Sequence, residues 1–293
     1  VYMYRDAYND YEHDQWVYGM CLEYVDPSPA NLNISETLCR SKPVLCRLTT
    51  TLELYNYGSI PCLTDDEKNL GDQKTLEMFI DFVLNNTENL DDYYLILLLS
   101  NHGGAWKGFG KDETNGDDVL NLSEINHAIA NALAKHNIEK LDAIIFEACL
   151  MGSAEVIYEL SRHARYLVVS ENVLPIDGLA YAIRKAISEV DNANATIEDF
   201  LYWIFEGFKE LYNLSNFNDA YKEFDWDLGQ YYGLQGHLMG YSLDSTPIDD
   251  NVLREILEES WREAPPTITI IDTKNVGRLF RSLRILCKYL IQN

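Results

Sequence analysis

Long apolar runs are missing from this sequence. The longest, Leu95 to Leu99, is strand-length, well short of the roughly 18 residues needed to cross a bilayer as a helix, so no membrane span is expected. Basic residues are also scarce: 23 Lys and Arg stand against 47 Asp and Glu, a formal net charge of −24. Such a surface repels phosphate backbones and anionic lipid, which argues against nucleic acid as a partner and favours cationic ligands or substrates. There is no Cys-x-x-Cys, and His13, His127, His136, His163 and His237 make no paired metal spacing, so no metal ligand set, and in particular no structural zinc, is expected. Proline (8) and glycine (16) are few among 293 residues that are 47% hydrophobic, which excludes collagen-like, mucin-like and disordered classes. No charged segment followed by an apolar one precedes the rest, so any signal peptide is expected to have been removed or never included.

What is present is an alternation of buried-strand and amphipathic-helix patterns. Tyr93 to Leu99, Leu141 to Phe146 and Tyr166 to Ser170 are short apolar runs, the pattern of central strands covered on both faces, and Val44 to Leu48 and Thr267 to Ile271 read as further strands. Between them lie helical stripes: Leu76, Phe79, Ile80, Val83 and Leu84 after a capping Asp72; Ile125, Ile129, Ala132 and Leu133 after Ser123; Ala154, Ile157, Tyr158 and Ser161; and Leu179, Ile183 and Ile187. A long helix is expected over 196–211, and Thr273 is expected to cap a last one carrying Val276, Leu279, Phe280, Leu283 and Leu286. The alternation predicts an α/β fold with a mostly parallel open sheet and helices on both faces.

In such sheets reactive groups gather where the carboxyl ends of strands open into loops. Two of these ends carry unusual residues: Asn101-His102-Gly103-Gly104-Ala105-Trp106, and Glu147-Ala148-Cys149-Leu150-Met151-Gly152. A free Cys thiol is only a few per cent thiolate at neutral pH and needs a base, which His102 can supply. Gly103 lets the backbone approach a substrate and aim an N–H at a developing oxyanion, with the Cys149 N–H as second donor. Taken singly, a Cys after an apolar strand is usually a packing residue and a His-Gly pair a turn; their joint placement carries the reading.

Residues Lys68-Asn69-Leu70-Gly71-Asp72, Asn101-His102-Gly103 with Trp106, Phe146 to Gly152, Ser170-Glu171 through Pro175, Asp177-Gly178 and Tyr181, and Ile270-Ile271-Asp272 with its following helix together resemble the clostripain-like (C11) cysteine peptidases, which share the caspase-like fold. The resemblance covers nearly the whole chain, and Ala-Cys-Leu-Met-Gly is its most specific part. It implies a single peptidase domain over 1–293, a His102/Cys149 dyad, and a pocket in which Glu147 and Asp177 receive a basic P1 side chain of a peptide or protein substrate. Since related peptidases process themselves between the His and Cys segments, cleavage after Lys111, with Lys107 second, is expected in the polar stretch 105–120. Two departures stand out: Glu147 occupies a position where the family usually has Asp, and Ala105 sits in the Gly-containing turn after the His.

The implied chemistry requires no cofactor. The acidic stretch 112–118 reads as a solvated loop and fails the EF-hand pattern, with Lys111 at the first ligand position and Leu122 at the last; an irregular Ca²⁺ site there is raised by the resemblance, because calcium dependence occurs in that family. Gly108 to Asp112 lacks the residues of a phosphate loop. Cys21, Cys39, Cys46 and Cys62 cluster near the start, and Asn-x-Ser/Thr occurs at Asn33, Asn85, Asn121, Asn194 and Asn213; both favour a secreted protein with room for disulfides. A monomer is expected. The rival reading is a catalytically inactive binding module on the same scaffold.

Overall fold

The computed structural model describes residues 2–5, 17–21, 44–47, 68–112, 115–174, 179–190, 195–212 and 265–292. In chain order the elements are β1 (Tyr2–Arg5), β2 (Val17–Cys21), β3 (Val44–Arg47), α1 (Gln73–Asn85), β4 (Ile96–Ser100), β5 (Phe109–Asp112), β6 (Asp118–Leu120), α2 (Leu122–Lys135), β7 (Leu141–Glu147), α3 (Ala154–Leu160), β8 (Ala164–Val169), α4 (Ala180–Glu189), α5 (Ile197–Leu211), β9 (Thr269–Asp272) and α6 (Val276–Gln292). They fall into two compact units, 1–174 with 267–293, and 175–266.

In the first unit seven strands form one sheet of order β3-β1-β2-β4-β7-β8-β9. Its centre, β4-β7-β8, is parallel, as the doubly buried strands predict. The neighbours β2 and β9 run antiparallel to it, and β1 is antiparallel to both β2 and β3. The register pairs Leu97 with Ile144, Leu99 with Phe146 and Ile144 with Leu167, so these side chains share one face. Against that face α1 lays Leu76, Phe79, Ile80 and Val83, α2 lays Ile125, Ala128, Ile129, Ala132 and Leu133, and α3 lays Val156 and Leu160, in one continuous core. Each large apolar side chain buried there contributes about 1.5–3 kcal/mol.

Helix caps follow local chemistry. Asp72 caps α1 as expected, accepting from Lys74 N. α2, expected to start at Ser123, begins one residue earlier: Asn121 accepts from Glu124 N while Glu124 accepts from Asn121 N, a reciprocal pair that fixes the start at Leu122. Asp272 caps the turn before α6, and Thr273 is instead buried, donating its hydroxyl to Ala164 O at 2.6 Å. The apolar stripe expected to bury α6 does so only at its first turns, where Val276 is buried and Phe280 packs on Tyr158 at 4.9 Å. Leu279, Leu283 and Leu286 are exposed. In the second unit, Thr196 and Asp199 form a capping box for α5, and Gly207 lets that helix approach α4 so closely that a Cβ would lie 2.8 Å from Ala182 Cα.

His163 ties α2 to the turn before β8, its Nε2 at 2.6 Å from Asn126 Oδ1. Burial, with the Arg162 and Lys140 charges adding to it, pushes its pKa down from 6.5 to about 4. The native ring therefore stays neutral where the unfolded one takes a proton. Stability is complete above about pH 6.5 and falls as pH drops toward 4, by about 1.4 kcal/mol per pH unit from this group. Urea unfolding of wild type and His163→Asn between pH 7 and 4 should show the wild-type advantage shrinking toward acid; a constant difference would mean His163 is not held neutral.

Candidate active site

β4 and β7 are adjacent, parallel and in register, and their last pair is Ser100 with Glu147. His102 and Cys149 each lie two residues beyond that pair, at the same edge of the sheet. The two loops touch. A Cβ built on Gly103 would lie 2.2 Å from Cys149 O and 2.9 Å from Met151 Cγ and Sδ, a space that only a hydrogen can occupy.

The His102 loop is held by the β5–β6 hairpin, which the sequence does not announce. Gly110 N donates to His102 O at 2.7 Å and Gly104 N to Gly108 O at 2.8 Å. These bonds flank the Gly103–Phe109 bridge and leave the Gly103 N–H outside the ladder. Phe109 anchors the hairpin in the core, edge-on to Phe146 at 5.8 Å. Ala105, one of the two departures, adopts a left-handed φ of 56°, the conformation that makes Gly the easier residue there and costs a side chain on the order of 1 kcal/mol.

The far end of the hairpin is clasped by the 68–72 segment. Asp112 is buried and accepts from Leu70 N at 2.8 Å, Asn115 N at 3.0 Å and Asn115 Nδ2 at 3.1 Å. Asn69 Nδ2 donates to Asp118 Oδ2 at 2.6 Å, and Gly71 lies so close to the Asp118 backbone that a Cβ would be 2.6 Å from its carbonyl carbon. The solvated-loop reading of 112–118 is thus corrected at both its ends: Asp112 and Asp118 are structural acceptors for backbone and amide donors. Lys111 lies in β5, paired with Asp117 at 3.0 Å. Lys107 is exposed in the turn before β5, 5.9 Å from the centre of the Trp106 ring.

The Cys149 loop rests on the segment after β8. Met151 fills the core beside Gly103, Gly152 N donates to Ser170 O at 2.7 Å, and Leu150 takes a left-handed φ of 61° while donating to Asn172 O at 3.1 Å. Cys149 Sγ accepts from Leu174 N at 3.3 Å and lies 3.7 Å from Leu174 O, to which its S–H donates. Cys149 is half-buried and unbridged by a disulfide; His102 is exposed. Glu147 ends β7, half-buried, on the sheet face opposite the Leu97–Phe146 core. Asp177 lies outside the described residues, as do the side chains of Cys21, Cys39, Cys46 and Cys62.

Among known families, the profile of the clostripain family, peptidase C11, matches residues 31–293. The chain belongs to the clostripain family. Clostripain of Hathewaya histolytica is 32% identical over 107 residues, 32% of this chain and 19% of that protein. Among solved structures, a secreted C11 cysteine protease from Bacteroides thetaiotaomicron bound to an irreversible peptide inhibitor is similar at 24% identity and a TM-score of 0.41, over 50% of this chain and 39% of that one. An inactive zymogen C11 protease from Parabacteroides distasonis is similar at 24% identity and a TM-score of 0.33, over 49% and 38%. The chain thus spans about a fifth of its curated clostripain relative. In this clostripain-family chain the Ala-Cys-Leu-Met-Gly motif is a packing device as well: Ala148 and Met151 are buried, and Gly152 permits the Ser170 backbone to approach.

Proposed function

We propose that this protein is a cysteine endopeptidase that cleaves peptide bonds after Arg or Lys through a His102/Cys149 dyad, its two units serving one peptidase domain. The observation that supports this most is the β4–β7 register, which sets His102 and Cys149 at equal depth beyond neighbouring strands with Gly103 against the Cys149 backbone. In the reaction His102 takes the proton of the Cys149 thiol and the thiolate attacks the scissile carbonyl. The oxyanion is met by the N–H groups of Gly103 and Cys149, neither of which is hydrogen-bonded among the described residues. His102 then protonates the leaving amine, and water hydrolyses the thioester.

Glu147 and Asp177 supply the charge for a basic P1 side chain, each charge-assisted bond contributing about 1.5–3 kcal/mol. Glu147→Gln is expected to lower kcat/KM on P1 Arg and Lys substrates at least about tenfold, with little change on neutral ones. A fluorogenic panel varied at P1, run with and without chelator, checks this; equal wild-type rates on Arg, Leu and Asp would remove these acids from substrate selection. Self-processing within 105–120 belongs to the same proposal. Lys107 is the more accessible site, since cleavage after Lys111 requires β5 to leave its hairpin. Secretion as a monomer completes the reading; the chemistry requires no cofactor, and the chelator arm of the panel tests for Ca²⁺.

A further inference from the structure

We propose that Thr267 is a positioning residue for the Cys149 nucleophile, acting through a relay of hydroxyl and backbone groups in the segment after β8. The inference rests on Cys149 being the nucleophile of the proposed peptidase. β8 and β9 pair antiparallel, with Val169 opposite Thr269 as their last pair, so Thr267 lies just beyond the end of the ladder, level with the segment that departs from β8. That segment carries Leu174, whose backbone N–H and C=O both meet the thiol, and Asn172, whose carbonyl accepts from Leu150 N at 3.1 Å.

The segment has left the sheet by then, and two hydroxyls hold it. Asn172 N lies 3.2 Å from Ser170 Oγ and 3.1 Å from Thr267 Oγ1, and the two hydroxyl oxygens are 3.0 Å apart. Ser170 Oγ also donates to Asn172 O at 3.0 Å. With the single hydroxyl proton of Ser170 assigned to Asn172 O, the Thr267 hydroxyl is the donor to Ser170 Oγ and shares the Asn172 N–H. Thr267 therefore both gives and receives, and its chain of bonds ends on the backbone of Leu150, the residue next to Cys149.

The consequence falls on the chemical step. In the resting state the thiol proton is given to Leu174 O; when His102 removes it, that bond is lost and the Leu174 N–H remains aimed at the sulfur, stabilising its negative charge. The segment has to hold that donor in place while the sulfur changes partner. A displacement on the order of 1 Å at a reacting atom can cost roughly 100-fold, so loosening the segment by one hydrogen-bond relay should be felt in turnover more than in substrate binding.

The test compares Thr267→Val, which keeps the shape and removes both roles, with Thr267→Ser, which keeps both. Thr267→Val is expected to lower kcat about tenfold or more with KM changed less than about twofold, at a melting temperature close to wild type. Thr267→Ser should recover kcat to within about threefold of wild type. A substrate-free reading comes from the rate of iodoacetamide alkylation at Cys149, followed by peptide mapping to separate it from exposed Cys287; it should change in Thr267→Val and not in Thr267→Ser. Wild-type kcat and alkylation in Thr267→Val would overturn the inference. So would equal impairment of both variants, or a loss that follows a fall in melting temperature. Hydrolysis surviving in Cys149→Ala would instead overturn the proposed function itself, which keeps the two failures apart.

Discussion

Cys149→Ala is expected to lower kcat for peptide hydrolysis by several powers of ten while the protein stays folded. The side chain is half-buried and its sulfur bonds only to the Leu174 backbone among the described residues, so removing it empties little volume and strands no buried side-chain donor. The chemistry has no substitute: without the thiolate no thioester forms, and the His102 and oxyanion groups retain only weak residual catalysis over water. The same variant should stop self-processing. Intact-mass analysis during incubation is expected to show wild type cut within 105–120 and Cys149→Ala uncut; cutting at equal rates in both would exclude an autocatalytic event.

Gly103→Ala is expected to be nearly as damaging, for a different reason. The added Cβ meets a backbone oxygen, Cys149 O, at 2.2 Å and the Met151 side chain at 2.9 Å. Met151 can yield by rotating, but Cys149 O belongs to the nucleophile loop. Relief must come by parting the two loops, which separates base from nucleophile and displaces the Gly103 N–H. Given the roughly 100-fold cost of a displacement on the order of 1 Å, kcat/KM should fall at least about 100-fold. Gly104→Ala is the control. Its Cβ would find its nearest atom at 3.4 Å, ordinary contact, and activity should stay within about threefold of wild type. Equal losses in the two variants, measured as kcat/KM alongside melting temperature, would show that the Gly103 contact does not hold the site together.

The parallel centre of the sheet was legible because its strands are apolar on both faces, and so were the two loops that leave it at His102 and Cys149. The hairpin β5–β6 was not. Its sequence is short, polar and rich in Gly and Asp, and its pairing depends on Phe109 reaching the core and on Asp112 and Asp118 meeting donors from Leu70 and Asn69, far away in the chain. Composition marked those acids as solvent-facing; tertiary donors bury Asp112. Thr267 escaped for a similar reason, since a single Thr at the start of an apolar run reads as strand propensity. Its role comes from antiparallel pairing that brings it level with Ser170 and Asn172. The exposed stripe of α6 is the converse case, a strongly periodic segment whose period foretold helix correctly and burial only for its first turns.

The most direct test of the central claim is covalent capture by a short peptide carrying a P1 Arg and a thiol-reactive carbonyl group, read by intact mass and peptide mapping. The account predicts one adduct per chain, at Cys149 and not at exposed Cys287, formed far more slowly in His102→Ala and by the matching peptide with P1 Asp. Labelling of Cys149 and Cys287 at similar rates, indifferent to His102 and to the P1 residue, would contradict it.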